Sequence, residues 1–331
     1  MDSGPYGGSE DMKRIWHPYL ITALTLLVLM LISVSIGVAD FRLDRIFSDS
    51  DTLHLLFLSR LPRTFAALLC GAAMAVAGVL MQLLARNRFV EPGTTGTTEG
   101  AMLGLLLVTL VAPQAALLMK MSVATVVAML TMLGFLALAQ RLPAEQPLML
   151  PLVGLIYSGL IGAVATYFAY QSDLLQYLSI WLSGGFSGVL AGRYELLWLS
   201  GGAALLAYVA ADQFTVAGMG RGAATALGLR YGQVLALGVV TVAFVTALVV
   251  VTVGALPFVG LVVPNIVSRL MGDNLRQSLP VVAGMGAGLV LASDILGRIV
   301  RYPYEIPAGT VFGVIGTVVF LWLLYRRGPH V

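Results

Sequence analysis

Asp294 is the acidic residue set well inside an apolar run, and Arg298 follows it one helical turn later in the stretch DILGR. At a spacing of i, i+4 the two can pair on one helix face. Unpaired, a carboxyl at that depth is a candidate proton carrier, because charge inside a membrane is costly and tends to mark function. Asp173, Asp212 and Glu195 lie near the ends of apolar runs, where a solvated end charge is the simpler reading. Other chemistries lack their residues. His17, His54 and His330 are far apart and outside the apolar centres, so they build neither a His metal site, an H-E-x-x-H helix nor a Ser/His/Asp set. Cys70 is single, which excludes an internal disulfide and a Cys-based metal site. The two lysines, Lys13 and Lys120, each follow Met. A P-loop needs Gly-Lys before Ser or Thr, so ATP hydrolysis by that route is excluded.

These few polar residues are carried by a very apolar chain. Of 331 residues, 59% are hydrophobic and 11% charged, and the mean hydropathy is +0.93. Soluble domains carry about 25% charge. The composition therefore predicts an all-α polytopic membrane protein. A β-barrel fits poorly, because barrel strands alternate apolar and polar residues in short stretches. Ten apolar segments can be drawn, at about 18–39, 63–84, 97–112, 116–139, 148–170, 190–211, 232–254, 256–271, 279–299 and 307–325. The first follows Lys13-Arg14 but is too long for a signal-peptide core, so it reads as a span. With both termini inside, eleven basic residues fall inside and eight outside: Arg42, Arg45, Arg60, Arg63, Lys120, Arg193, Arg298 and Arg301. That bias is weak for a positive-inside rule, and it suggests that some outer arginines are held there by function. The +3 net charge is spread through loops, and no nucleic-acid partner is expected. The expected organisation is a disordered tail over 1–12, one transmembrane domain over 13–327 and a short tail over 328–331.

Glycines spaced by four, as in Gly96/Gly100/Gly104, Gly284/Gly288 and Gly309/Gly313, suit close helix packing in lipid. Three segments are not simple spans. The stretch 176–195, QYLSIWLSGGFSGVLAGRYE, reads as a short helix lying at the outer surface. The inner stretch 211–230 is long enough for one or two short helices. The stretch 254–276, GALPFVGLVVPNIVSRLMGDNLR, is broken by Pro257, Pro264 and glycines. Broken backbone at membrane depth is tolerated only where protein or a wet cavity satisfies the freed groups, and transporters place such breaks at their pathways.

Three separated motifs resemble those of the FecCD-type permeases of iron-chelate (siderophore), heme and cobalamin ABC importers, also called type II importers. Residues 58–101 carry R-L-P-R-T, then A-G-x-x-x-Q, then R-N-x-x-x-x-P-x-x-x-G. Residues 258–265 are similar to F-V-G-L-x-x-P-H, with Asn265 in the His position. Residues 294–324 resemble D-I-x-x-R, E-x-P-x-G and G-x-P-x-F, with Thr317-Val318 departing from the last. The likeness runs from about residue 13 to 327 and is strongest to the ferric siderophore branch.

The resemblance implies a multi-pass permease of the bacterial inner membrane, with ATP and Mg bound by a partner ATPase and no cofactor on this chain. The implied partners are a second permease chain (identical or paralogous), two ATPase subunits, a periplasmic binding protein, membrane lipid and the ferric siderophore in transit. It further implies that outward-facing Arg60, Arg63 and Arg298 receive acidic residues of the binding protein, and Arg301 joins them by proximity. A guanidinium fork suits that role. Residues 211–230 then form the ATPase-coupling loop, with Gly218, Met219, Gly220, Arg221, Ala224, Leu227 and Gly228 at the contact and Gly228 as a helix cap. Gly222 stands where the family carries Glu. The translocation path would be walled by Pro92, Gly93, Thr94, Thr95, Gly96, Thr97, Pro264 and Asn265. Helix capping competes for the threonines, and a structural role is the stronger expectation for Asn265. Heme and cobalamin are the alternative cargoes. A proton-coupled secondary transporter using Asp294 is the alternative of another class.

Overall fold

The computed structural model describes residues 8–36, 54–142, 149–192 and 194–325, with side chains from residue 17 onward. The tail positions 1–7 and 326–331, and with them Arg42, Arg45 and Arg193, lie outside the described residues. All regular structure among the described residues is helical.

Seven helices are long and apolar enough to cross a membrane, and three shorter apolar helices join them. These ten coincide in order with the ten apolar segments. They are α1 (Gly8–Ser35), α2 (Leu61–Ala85, entered through a π-helical turn over Leu56–Arg60), α3 (Thr97–Val111), α4 (Leu117–Ala139) and α5 (Met149–Gln171). After a short α6 (Leu175–Ser183) come α7 (Leu197–Val209), α8 (Ala211–Gly218), α9 (Arg221–Ala226), α10 (Tyr231–Val253), α11 (Val259–Met271), α12 (Leu275–Ile299) and α13 (Ala308–Tyr325). Thus α6 is the short helix expected in 176–195, and α8 and α9 are the pair expected in 211–230.

Some boundaries moved for local reasons. α7 starts later than its apolar run because residues before it turn, with the Glu195 carboxylate accepting the Gly192 N–H at 2.7 Å. α12 starts earlier because the Asn274 side chain accepts the Gln277 N–H and caps it.

α2 is the central helix, packed by α7, α10, α11 and α12. Its core face is made of small side chains, with Ala66, Ala67, Cys70, Ala73, Ala75 and Ala77 fully buried. Two glycines set the contacts. A Cβ on Gly71 would lie 2.3 Å from the Gly286 carbonyl oxygen of α12, and one on Gly78 would lie 2.1 Å from the Gly260 oxygen of α11. Without a hydrophobic drive between helices in lipid, such backbone-to-backbone approach is what holds spans together. A second group, α3, α4, α5 and α10, packs beside it. α1, α5 and α13 turn most of their apolar surface outward.

Candidate functional site

The broken stretch after α10 is satisfied by three other breaks in the chain. Gly254 (φ +91°) and Phe258 (φ +66°) reverse the backbone. Between them the Ala255 N–H donates to the Trp181 carbonyl at 2.8 Å, at the end of α6. The Gly185 N–H donates to Val253 O at 2.8 Å, and the Gly309 N–H at the start of α13 donates to Gly184 O at 2.7 Å. The ends of α6, α10 and α13 are therefore sewn together by backbone bonds, as non-helical chain inside a membrane domain requires.

α11 is held from the other side by the loop after α2. The Glu91 carboxylate accepts the Phe258 N–H at 3.0 Å, at the positive end of α11. Pro264 lies inside α11 and has no N–H to give to the Gly260 carbonyl four residues earlier. That carbonyl instead accepts from Gln82 Nε2 of α2 at 3.2 Å. Asn265 Nδ2 donates to Leu261 O at 2.7 Å and to Arg88 O of the loop at 2.8 Å, which is the structural role expected of it. An Arg88–Asp273 pair at 2.6 Å closes the far end. The A-G-x-x-x-Q motif thus has a physical meaning: Gly78 admits α11, and Gln82 repairs the bond that Pro264 removes.

The Pro92–Thr95 turn is a 3-10 helix with Thr94 Oγ1 accepting the Glu91 N–H at 3.0 Å. Thr95 Oγ1 donates to Pro92 O at 3.0 Å and lies 2.9 Å from Thr97 Oγ1. Thr95 and Thr97 are fully buried, so their hydroxyls cap the turn and do not face a wet path. Gly93 and Thr94 are half-buried. Gly96 takes φ +73° between the turn and α3. Pro264 and Asn265 line a cavity of about 400 Å³ together with Arg86, Arg88, Gly218 and Met219. The broken helix and the end of α8 therefore share one space.

At the outer end, the arginines expected to face outward mostly turn inward. Arg298 is 6% exposed. It donates to Ser33 O at 2.9 Å, Ile36 O at 2.8 Å and Ser33 Oγ at 2.8 Å, and it pairs with Asp294 at 2.9 Å. Arg60 is also buried, and it donates to Val34 O at 3.1 Å. Both clamp the C-terminal carbonyls of α1, a helix otherwise nearly unburied along its span. Arg63 places Nη2 2.8 Å and Nε 3.1 Å from Asp294, and Nη1 2.8 Å and 3.0 Å from the Glu305 oxygens. Ser187 also donates to Glu305. Arg301 is exposed and stands 5.7 Å from the Tyr304 ring centroid. Asp294, 2% exposed and bound by two guanidiniums, is an ion-pair partner, and its case as a proton carrier loses its basis.

Burial by itself raises Glu305, but the hydrogen bonds from Arg63 and Ser187 outweigh it and hold the carboxyl below its ordinary value. Gln82, Glu91, Ser187 and Glu305 were not anticipated as site residues. The Gln of A-G-x-x-x-Q and the Glu of E-x-P-x-G stood within the motifs and were the available signals.

In the stretch 211–230, Asp212 of α8 pairs with Arg276 of α12. Gly218 faces inward, since a Cβ there would lie 2.8 Å from Leu83 of α2, and Ala224 is fully buried. Met219, Arg221 and Leu227 are exposed, Leu227 at 68%. Gly220 (φ +104°) separates the two helices, and Gly228 (φ +78°) ends α9. The Gly228 N–H bonds Thr225 O and the Leu229 N–H bonds Ala224 O, which makes the expected glycine cap a Schellman motif.

Residues 25–326 match the FecCD transport family. The petrobactin import system permease protein YclN of Bacillus subtilis is 45% identical over 308 residues, covering 93% of this chain and 98% of that protein. The ferric-anguibactin transport system permease protein FatD of Vibrio anguillarum is 40% identical, covering 81% of this chain and 85% of that protein. Among solved structures, an inward-facing metal-chelate type ABC transporter is similar with a TM-score of 0.79 and 25% identity, covering 93% of this chain and 98% of that one.

Proposed function

The chain belongs to the FecCD transport family, and we propose that its cargo as an ABC-importer permease is a ferric siderophore. It is a multi-pass protein of the bacterial inner membrane and a transporter subunit, not an enzyme. An ATPase and a substrate-binding protein are its partners. The observation that carries the cargo class is the 45% identity to a petrobactin import permease along nearly the whole chain. In this reading the binding protein delivers the chelate from the periplasm. Two permease chains, identical or paralogous, enclose the path, and two ATPase subunits hold ATP and Mg.

Each part of the site then has a task. Met219, Arg221 and Leu227 project to the ATPase, while Gly218, Gly220, Ala224 and Gly228 shape the segment that carries them. Arg276–Asp212 ties that segment to α12, whose outer end holds Asp294 and Arg298. Pro92 to Thr97 and Pro264–Asn265 wall the path as one rigid unit, with Thr95 and Thr97 as internal caps. At the outer face Arg63 and Arg301 receive the binding protein's acids. Arg60 and Arg298 support them by fixing α1.

The test is ATP hydrolysis by the permease–ATPase complex in nanodiscs as binding protein is titrated with ferric siderophore, heme or cobalamin. Stimulation by the siderophore-loaded form, weakened by Arg301→Glu, is the expected result. Stimulation by the heme- or cobalamin-loaded form alone would overturn the cargo class, and failure of any P-loop ATPase to form a complex would overturn the importer reading.

A further inference from the structure

Arg63 holds two carboxylates of different character. Asp294 is 2% exposed, sits on α12 and is bound a second time by Arg298. Nothing can replace it without breaking the helix contact. Glu305 lies on the short loop between α12 and α13, and its side chain is 21% exposed. Its hydrogen-bond partners among the described residues are Arg63 and the Ser187 hydroxyl. Around it on the loop, Arg301, Tyr302 and Tyr304 are exposed. Arg63 therefore presents one side of its fork to a fixed acid and the other to an acid at the surface.

The charges point the same way. Arg63 and Arg298 face Asp294 and Glu305, so withdrawing Glu305 leaves two guanidiniums on one carboxylate. With Glu305 withdrawn, a guanidinium edge with Nη1 pointing to the outer surface would be left without its acceptor. A buried or half-buried arginine edge left so is costly, and a carboxylate bound there in the same fashion restores it.

We propose that Glu305 is a resident stand-in for a carboxylate of the binding protein. It occupies the outer edge of Arg63 in the undocked permease and yields that edge when the partner's acidic side chain arrives. This rests on the docking reading given above and adds the exchange to it. The exchange has a route inward. Glu305 precedes α13 by three residues, and the Ile306 N–H bonds Gly297 O at 2.9 Å. Ser187 follows Gly184 and Gly185, which bond Gly309 and Val253. Release of Glu305 thus removes the Ser187 side-chain tie between the two loops whose backbone bonds join the ends of α6, α10 and α13.

The experiment measures the affinity of fluorescently labelled, ferric-siderophore-loaded binding protein for the complete permease–ATPase complex in nanodiscs. Glu305→Gln removes the competing charge and is expected to tighten binding about two- to fivefold, the scale of one partly exposed ion pair. Ser187→Ala and Glu305→Asp, which loosen the contact without removing the acid, are expected to tighten it less, and they carry the test if Glu305→Gln does not assemble. Arg63→Gln is expected to weaken binding. If Arg63→Gln weakens binding while Glu305→Gln, Glu305→Asp and Ser187→Ala leave it unchanged or weaker, the exchange is overturned and docking at Arg63 stands. If Arg63→Gln leaves affinity unchanged, the docking reading at this residue falls, and the exchange with it.

Discussion

Substituting Gln82 by Leu tests how the broken helix is held. Gln82 Nε2 gives the Gly260 carbonyl a hydrogen bond at 3.2 Å that Pro264 cannot give. Leu has a similar volume and no donor, so the change orphans a buried carbonyl. Such a loss costs about 1–3 kcal/mol. At 3.2 Å the bond is at the long end of the N–H···O range, which puts the cost near about 1 kcal/mol. The proline supplies the control. Pro264→Ala restores an N–H at position 264, which can reach Gly260 O by the ordinary i to i−4 bond. In that background Gln82→Leu should cost less than about 0.3 kcal/mol, so the double-mutant cycle should return a coupling of roughly 1 kcal/mol. The readout is the apparent thermal midpoint of the complex in nanodiscs, with a drop of about 1–2 °C for Gln82→Leu alone. Equal drops with and without Pro264 would refute the account, because Gln82 would then be stabilising something other than the carbonyl the proline frees.

Three further outcomes are expected. Gly78→Ala places a Cβ 2.1 Å from Gly260 O, a backbone atom that cannot step aside, so it should cost about 3 kcal/mol or more and abolish recovery of folded protein by size-exclusion chromatography. Leu227→Asp changes a side chain that is 68% exposed. It should leave permease expression and melting unchanged while cutting co-purification of the ATPase about tenfold or more. For Glu305, the folded carboxyl titrates below its ordinary 4.5, so its contribution to stability is complete above about pH 4.5–5 and fades as pH falls through the lowered folded value. The melting difference between wild type and Glu305→Gln should therefore be flat from about pH 8 to 5 and shrink below that, and a difference that grows on acidification would contradict the pairing.

The ten apolar helices were legible because each follows an apolar run, and for the seven long enough to cross a membrane lipid asks little more than that. The two short inner helices were legible from the mild polarity of 211–230 and from Gly228. The outer cluster was only half legible. A spacing of four between Asp294 and Arg298 announces a pair on one helix, and that pair is present at 2.9 Å. Nothing in the spacing says that Arg63, 231 residues earlier, binds the same carboxylate, or that Arg298 and Arg60 also donate to carbonyls at the end of α1. Those facts depend on which helix ends meet, and an amphipathic pattern is too faint to tell when both sides of a span are apolar. The threonines show the same limit. Their composition suits a wet path and a cap equally, and only the burial of Thr95 and Thr97 decides for the cap. Pro264 and Gln82 make the opposite case. A proline inside an apolar run announces a carbonyl in need of a donor, and a glutamine is a costly side chain to place in a span unless it has such a duty. Their distance in sequence, 178 residues between Gln82 and Gly260, is what hides the bond. Reading it requires matching each freed backbone group to a polar side chain across the whole chain, since in lipid water is not there to settle the difference.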